Sequence, residues 1–305
     1  MPQVSRAKLI AAFAAIYIIW GSTYLAILMA IQTVPPLLMA GVRFLIAGLV
    51  LFAWSRRSNS PPPTRRQWRN AAVIGLLLLV GGNGAVVLAQ RDVPSGLAAL
   101  LVSVLPFWMV LLEWLRPGGT TPTRGIAAGL ILGIIGLIVL IGPAAMGSAD
   151  NEIRIGAVVL LLLGSLSWAG GSLLAQHIDL PPSASLATAI EMLAAGLVFF
   201  VASTLAGEPM HFDVSAVSGR SLAGLIYLIV FGSLIAFSAY VWLLKVSTPA
   251  KVSTYAYVNP VVALFLGWAF AGETLSVRTA VASAIVITAV ALITTARSSQ
   301  ASPAT

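Results

Sequence analysis

Hydrophobic residues occur along this chain in long unbroken runs, and charged residues fall almost entirely between them. The runs lie near 9–31, 37–54, 71–90, 97–115, 125–141, 156–176, 184–206, 221–243, 252–270 and 277–295. Each is close to the roughly 20 apolar residues that cross the hydrocarbon core of a bilayer, so the pattern predicts ten transmembrane spans. Lipid offers backbone N–H and C=O groups no partner, so a span must satisfy them internally, as a helix does. Strands of a membrane barrel would alternate apolar and polar residues, whereas these runs are continuous. The predicted fold class is all-α, a polytopic membrane protein.

Composition agrees. Of 305 residues, 59% are hydrophobic and 9% charged, against about 25% charged in soluble domains. A surface so poor in charge must meet lipid. Arg6 and Lys8 ahead of an apolar run look like the start of a signal peptide. That run continues to about Ile31, past the roughly 7–15 residues of a signal core, and is read as an uncleaved first helix.

Loops alternate sides, so the 17 Lys and Arg residues can be sorted by face. Arg91, Arg154, Arg220 and Arg278 fall on one side, Arg43 lies inside a span, and the remaining 12 share the other. The positive-inside rule places the richer side, with both termini, in the cytoplasm. The net charge of +8 is thus a matter of topology. The basic stretch RRSNSPPPTRR at 56–66 is a cytoplasmic loop, and no nucleic-acid partner is expected.

The chain repeats itself. A shift of 148 lays Arg6 on Arg154, Trp20 on Trp168, and RFLIAGLVLF (43–52) on EMLAAGLVFF (191–200) with six identities in ten. A shift of 154 lays Arg91 on Lys245, Pro106 on Pro260, Trp114 on Trp268, and GGTTPTR (118–124) on GETLSVR (272–278). The predicted units are residues 1–142, with spans 1–5, and 143–305, with spans 6–10. Five is odd, so the second copy enters the membrane from the opposite side. The halves are then related by a pseudo-two-fold axis in the membrane plane, as in many secondary transporters.

IIWGSTYLAI (18–27) with PPLLMAGVRF (35–44), VPSGLAALLVSVLP (93–106), STPAKVSTYAYVNPVVALFLG (247–267) and the closing GETLS (272–276) together resemble the EamA family of the drug/metabolite transporter superfamily, nearly end to end. Within it the chain is similar to bacterial amino-acid exporters of the YddG kind. The resemblance implies ten helices in two repeats, and export of amino acids or of other metabolites and drugs through a cavity walled mainly by spans 1, 3, 4, 6, 8 and 9. The first repeat departs from the pattern at Gly119, where the second has Glu273.

Signatures of catalysis are lacking. There is no Cys, no P-loop and no G-x-S-x-G, and the two histidines, His177 and His211, fall in loops on opposite sides. Neither an enzyme nor a cofactor or metal is expected. The expected partners are a small-molecule substrate and the lipid bilayer; the oligomeric state is left open.

Candidate substrate contacts are Trp20, Tyr24, Asn83, Ser103, Trp168, Tyr255, Tyr257 and Asn259. Trp20 and Trp168 are repeat-related and sit mid-span among Gly and Ser, either stacking on an apolar group beside open volume or packing at a helix crossing. Asn83 in GGNG (81–84) binds a polar substrate group or another helix. Pro106 and Pro260 each remove a backbone donor and are expected to bend spans four and nine. Gly125, Gly129 and Gly133 form a G-x-x-x-G series for close packing within the chain or a dimer face.

Arg43 and Glu191 occupy equivalent repeat positions, seven residues past Pro36 and nine past Pro182. Each is therefore ~10–14 Å deep in the membrane, where an ionised group needs a partner. A salt bridge between the halves is expected, either as a static tie or as a pair that breaks on alternation. In the second case Glu191 takes a proton or Arg43 holds a substrate carboxylate.

The reading is a secondary transporter that exports amino acids across the cytoplasmic membrane by alternating access. Drug or other metabolite efflux is the alternative. A membrane regulator or scaffold without flux is the alternative of another class, and the polar groups at mid-depth count against it. The topology predicts that single cysteines at Ser58 and Ser299 react with an impermeant thiol reagent only from the cytoplasm, and one at Ser148 only from outside. Labelling of position 148 from the cytoplasm would overturn the ten-span map.

Overall fold

The computed structural model describes residues 5–55, 57, 62–141, 155–247, 252 and 254–301. Ser58, Ser148, Arg154 and Lys251 lie outside these residues. Among these residues ten long helices follow one another: α1 (Arg6–Ala30), α2 (Pro36–Ser55), α3 (Arg65–Ala89), α4 (Ser95–Leu115), α5 (Arg124–Ile141), α6 (Ile155–Ala175), α7 (Ala184–Leu205), α8 (Gly219–Tyr240, its turns continuing to Val246), α9 (Tyr255–Ala271) and α10 (Val277–Ala301). No strand occurs among the described residues. Among the described residues, eight helices are long and apolar enough to cross a bilayer, and α5 and α9 are shorter apolar helices. Seventeen residues in α9 still rise about 26 Å at 1.5 Å per residue.

The helices match the hydrophobic runs in number and order, and their ends extend beyond them for local reasons. α3 starts six residues earlier than expected, at Arg65, because Thr64 caps it and Gln67 returns the bond in a capping box. Its charged first turn therefore projects past the apolar run. Ser183 and Ser218 cap α7 and α8 with their hydroxyls. Gly272 closes α9 at φ +68°, the left-handed conformation that glycine takes without strain.

The outside is greasy, as the composition requires. Leu49, Ile131, Ile138, Leu197, Phe265 and Phe270 are all exposed. The repeat-related Trp114 and Trp268 are exposed too, near the last turns of α4 and α9. Inversion puts those turns at opposite interfaces, where amphipathic indoles are favoured.

α2 and α7, related by the repeat, cross at close quarters. A Cβ added to Gly196 would lie 2.7 Å from Leu45 N, one on Gly48 would lie 2.9 Å from Leu193 Cγ, and one on Gly41 would lie 3.1 Å from Phe200 N. Gly48 and Gly196 are the glycines of the shared A-G-L-V sequence, so each copy contributes the same notch. The contacts 41–200, 45–196 and 48–193 define one antiparallel register. In the same way Gly75 brings α3 onto the backbone of Glu191. On the far side Gly129 and Gly136 seat α5 against Ile293 and Val286 of α10, and Gly133 faces Phe107. This glycine series packs inside the chain.

Two carboxylates cap helices from the other repeat. Glu273 Oε1 accepts from Ser95 N at 2.6 Å and Oε2 from Gly96 N at 3.0 Å, placing negative charge on the N-terminus of α4. Glu208 does the same for α2, accepting from Leu37 N (3.3 Å) and Leu38 N (2.8 Å), with Ser203 Oγ and Arg91 beside it. This accounts for the glutamate of GETLS. Gly119, in the equivalent place in the first repeat, has no side chain to act so.

Gly196→Ala should force the α2–α7 crossing apart, because the new methyl meets backbone and not a movable side-chain tip. A loss of about 1–3 kcal/mol is expected, read as a lowered unfolding temperature in detergent. Gly170→Ala, whose added Cβ meets nothing within 4 Å, should leave it unchanged or slightly raised. Equal unfolding temperatures for the two variants would show that the crossing is not close-packed.

Candidate functional site

Where the repeats face one another, a cavity of about 100 Å³ is walled by α1, α2, α3, α4, α6, α8 and α9. Its position follows from irregular turns. α3 contains a π segment at Leu76–Asn83 and α8 one at Leu228–Ile235, each eight residues long and in equivalent places of the two repeats. A third lies in α1 at Ala15–Ile19. A π turn widens the helix and releases carbonyls from regular pairing, and such turns are frequent at functional sites.

The two tryptophans exploit these segments across the repeat boundary. Trp20 Nε1 donates to Gly232 O in the π segment of α8 at 3.3 Å. The ring of Trp168 lies where a Cβ on Gly82, in the π segment of α3, would be 2.7 Å from Trp168 Cε3. Each repeat thus lays its indole on a glycine of the other, and both indoles line the cavity. Around Trp20 stand Tyr255 (centroids 5.1 Å, 80°), Phe237 (5.9 Å, 70°) and Tyr240 (5.1 Å, 46°), geometries that aromatic rings favour.

Arg43 supplies the charge. It is 4% exposed and lines the cavity. Its Nε donates to Ser233 Oγ at 3.0 Å and its Nη1 to Asn83 Oδ1 at 3.5 Å. Phe44, whose ring centroid is 4.8 Å from the guanidinium carbon, flanks it. Both partners belong to the paired π segments, so Arg43 of α2 bridges α3 and α8.

The expected salt bridge with Glu191 is not formed: among the described residues no ion pair joins the two. The cause is the register of α2 on α7. The glycine contacts pair residue 50 with 191, not 43 with 191, so the charges stand seven residues apart along the crossing, about 10 Å at 1.5 Å per residue. Glu191 is itself 7% exposed and lies outside the cavity lining.

Of the other expected contacts, Tyr24, Asn83, Tyr255 and Asn259 line the cavity. With its amide oriented to suit its neighbours, Asn259 donates to Tyr17 O (3.1 Å) and Tyr255 O (3.3 Å), tying α9 to the π turn of α1. Ser103 and Tyr257 do not line it. Ser103 Oγ turns back to Leu100 O at 2.7 Å. Tyr257 is two residues from both Tyr255 and Asn259, on the opposite face of α9, where it bonds Thr254. Pro106 stands in the first turn of the second piece of α4, after a break at Ser103–Val104, while α9 remains helical through Pro260. Ser165 and Phe44 line the cavity unforeseen, as does Phe237. The Gly and Ser residues within apolar runs (Gly82, Gly164, Gly232, Ser233) were the available signal.

The chain matches the EamA-like transporter family over residues 7–142 and again over 155–295. It is 41% identical over 287 residues to the "uncharacterized inner membrane transporter YedA" of Escherichia coli (strain K12), covering 94% of this chain and 90% of that protein. It is 27% identical over 261 residues to protein PecM of Dickeya dadantii (strain 3937), covering 85% and 82%. To the "probable amino-acid metabolite efflux pump" of Salmonella typhimurium (strain LT2) it is 25% identical over 268 residues, covering 86% of each. A crystal structure superposes with a TM-score of 0.64 at 21% identity, over 98% of this chain and 100% of that one, and shows the same fold. Two matched repeats of a transporter family, ten apolar helices and a cavity between the halves lead to one conclusion: this chain is a membrane transporter of the EamA-like transporter family.

Proposed function

We propose that the chain exports amino acids, or metabolites with the same carboxylate group, across the cytoplasmic membrane by alternating access, with both termini in the cytoplasm. The observation that carries this reading is Arg43. A guanidinium has five N–H donors, of which Ser233 and Asn83 take two. The other three have no protein partner among the described residues, and the group lines the cavity without an acidic neighbour within salt-bridge distance. Burying an unpaired cation is costly. A ligand carboxylate received in the two-pronged geometry that guanidinium favours would offset that cost.

Trp20 and Trp168 supply apolar planes for the rest of the ligand. The same cation would repel cationic drugs, which favours acids over that class of cargo. The metabolite-efflux name carried by one relative supports the reading, and the excess of Lys and Arg on one face supports the orientation.

In vesicles reconstituted with the purified chain, Arg43→Gln should cut flux of a labelled amino acid by about 100-fold, from the loss of a charge-assisted contact worth about 2–3 kcal/mol. Arg43→Lys should restore part of it, since a point charge keeps the attraction without the fork. Normal amino-acid flux in Arg43→Gln would rule the guanidinium out as the anchor.

Trp20→Ala and Trp168→Ala should each lower flux about 5- to 150-fold, through about 1–3 kcal/mol of lost apolar contact, while the protein stays in the membrane. Folded variants with unchanged flux would mark both indoles as packing residues.

A further inference from the structure

A second cavity, of about 170 Å³, lies between α2, α7 and α8. Leu51, Ser185, Thr188, Ser238 and Trp242 line it together with Phe237, and Phe237 is the one residue it shares with the central cavity. Its depth follows from its walls. Leu51 is four residues from the end of α2 at Ser55, Ser185 and Thr188 are in the first two turns of α7, and Trp242 is four residues before Val246. All of these helix ends lie at the membrane face from which α1 enters, which is the cytoplasmic face in the orientation proposed above.

The chemistry of this cavity is unlike that of a packing void. Several helix serines return their hydroxyls to their own backbone, as Ser22, Ser55, Ser103 and Ser165 do, and others reach a neighbouring helix, as Ser167 and Ser221 do. The hydroxyls of Ser185, Thr188 and Ser238 have no hydrogen-bond partner among the described residues, although Thr188 is only 5% exposed. Three unspent hydroxyls around open volume fit water or a hydrated zwitterion, because each can donate and accept. No charged side chain lines the cavity, so a ligand there is held weakly enough to move on.

Phe237 stands where the two cavities meet. Its ring is 8% exposed and is held edge-on by Trp20 and Tyr240. An apolar constriction of this kind bars water and ions by dewetting. The π segment of α8 ends at Ile235, two residues before Phe237, so a rearrangement of that turn rotates the ring directly.

We infer that the second cavity is an inner station of the transport path, taking hydrated zwitterions or small carboxylates from the cytoplasm, and that Phe237 is the partition between it and the central site. The inference rests on the proposed function for the identity of the cargo and for which membrane face is cytoplasmic, but not for the connection between the two cavities.

The chain has no cysteine, so single cysteines report access without a background. In inside-out vesicles containing the full chain, Ser185→Cys should react readily with an impermeant methanethiosulfonate. Val102→Cys, in the central cavity, should react slowly from that face. Adding Phe237→Ala should speed the Val102→Cys reaction about tenfold or more by removing the apolar barrier, and Phe237→Trp should not. Phe237→Leu gives the same comparison, with a smaller ratio, if Phe237→Ala does not fold. Unreactive Ser185→Cys, or Val102→Cys rates that ignore the residue at 237, would overturn the inference. Neither reading uses a substrate, so the expected labelling with no amino-acid flux would keep the path and refute the cargo.

Discussion

The close approach of α2 and α7 through Gly48 and Gly196 is the constraint on which the rest of the structure depends. Lipid provides no hydrophobic drive between helices, so association in the membrane relies on van der Waals contact, and small residues permit the closest contact. Because the two glycines are the same residue of two inverted copies, one crossing serves both halves. It sets the antiparallel register in which residue 45 meets 196 and 48 meets 193. That register separates Arg43 from Glu191 and leaves the guanidinium to Ser233 and Asn83.

The cavity is then a consequence of inversion combined with irregular helices. Each half brings a tryptophan to a π-segment glycine of the other. A regular helix at either place would present a closed, fully paired surface. The widened turns expose a carbonyl to Trp20 and let polar side chains at Asn83 and Ser233 converge on one cation. The two halves are not chemically equal: Arg43 has a carboxylate, Glu191, as its repeat partner. Polar side chains come from both repeats, but the one charged group in the lining comes from the first.

Both ends of the bundle are tied across the repeats, with different chemistry. At one membrane face, Glu208 and Glu273 seat carboxylates on the N-termini of α2 and α4, which is charge against helix dipole. At the other face, Asp179 accepts from Gln67 Nε2 at 3.2 Å and, through its carbonyl, from Asn70 Nδ2 at 2.9 Å, while His177 bonds Arg116. The Gln67 and His177 contacts are exposed, and exposed polar contacts are individually weak, while the Asn70 bond is partly buried.

Ten spans, their helical nature, the inverted duplication and the transporter family were all legible in the residues, and Trp20, Trp168 and Asn83, singled out there, do line the central cavity. Each depends on composition, on periodicity or on similarity between distant segments, and those are properties of a string. Helix facing was not legible, because a helix that is apolar nearly all round carries little asymmetry to show which side is buried. Tyr257 and Ser103 were therefore expected at the cavity, although α9 and α4 turn them away. Equal depth made Arg43 and Glu191 look like partners. Depth is one coordinate, and the axial offset of two packed helices is fixed only when glycine notches some 150 residues apart in the chain interlock. The π segments, the shared position of Phe237 and the carboxylate caps arise in the same way. They are decided by which backbone atoms find partners after the helices have packed, and no local stretch of sequence contains that information.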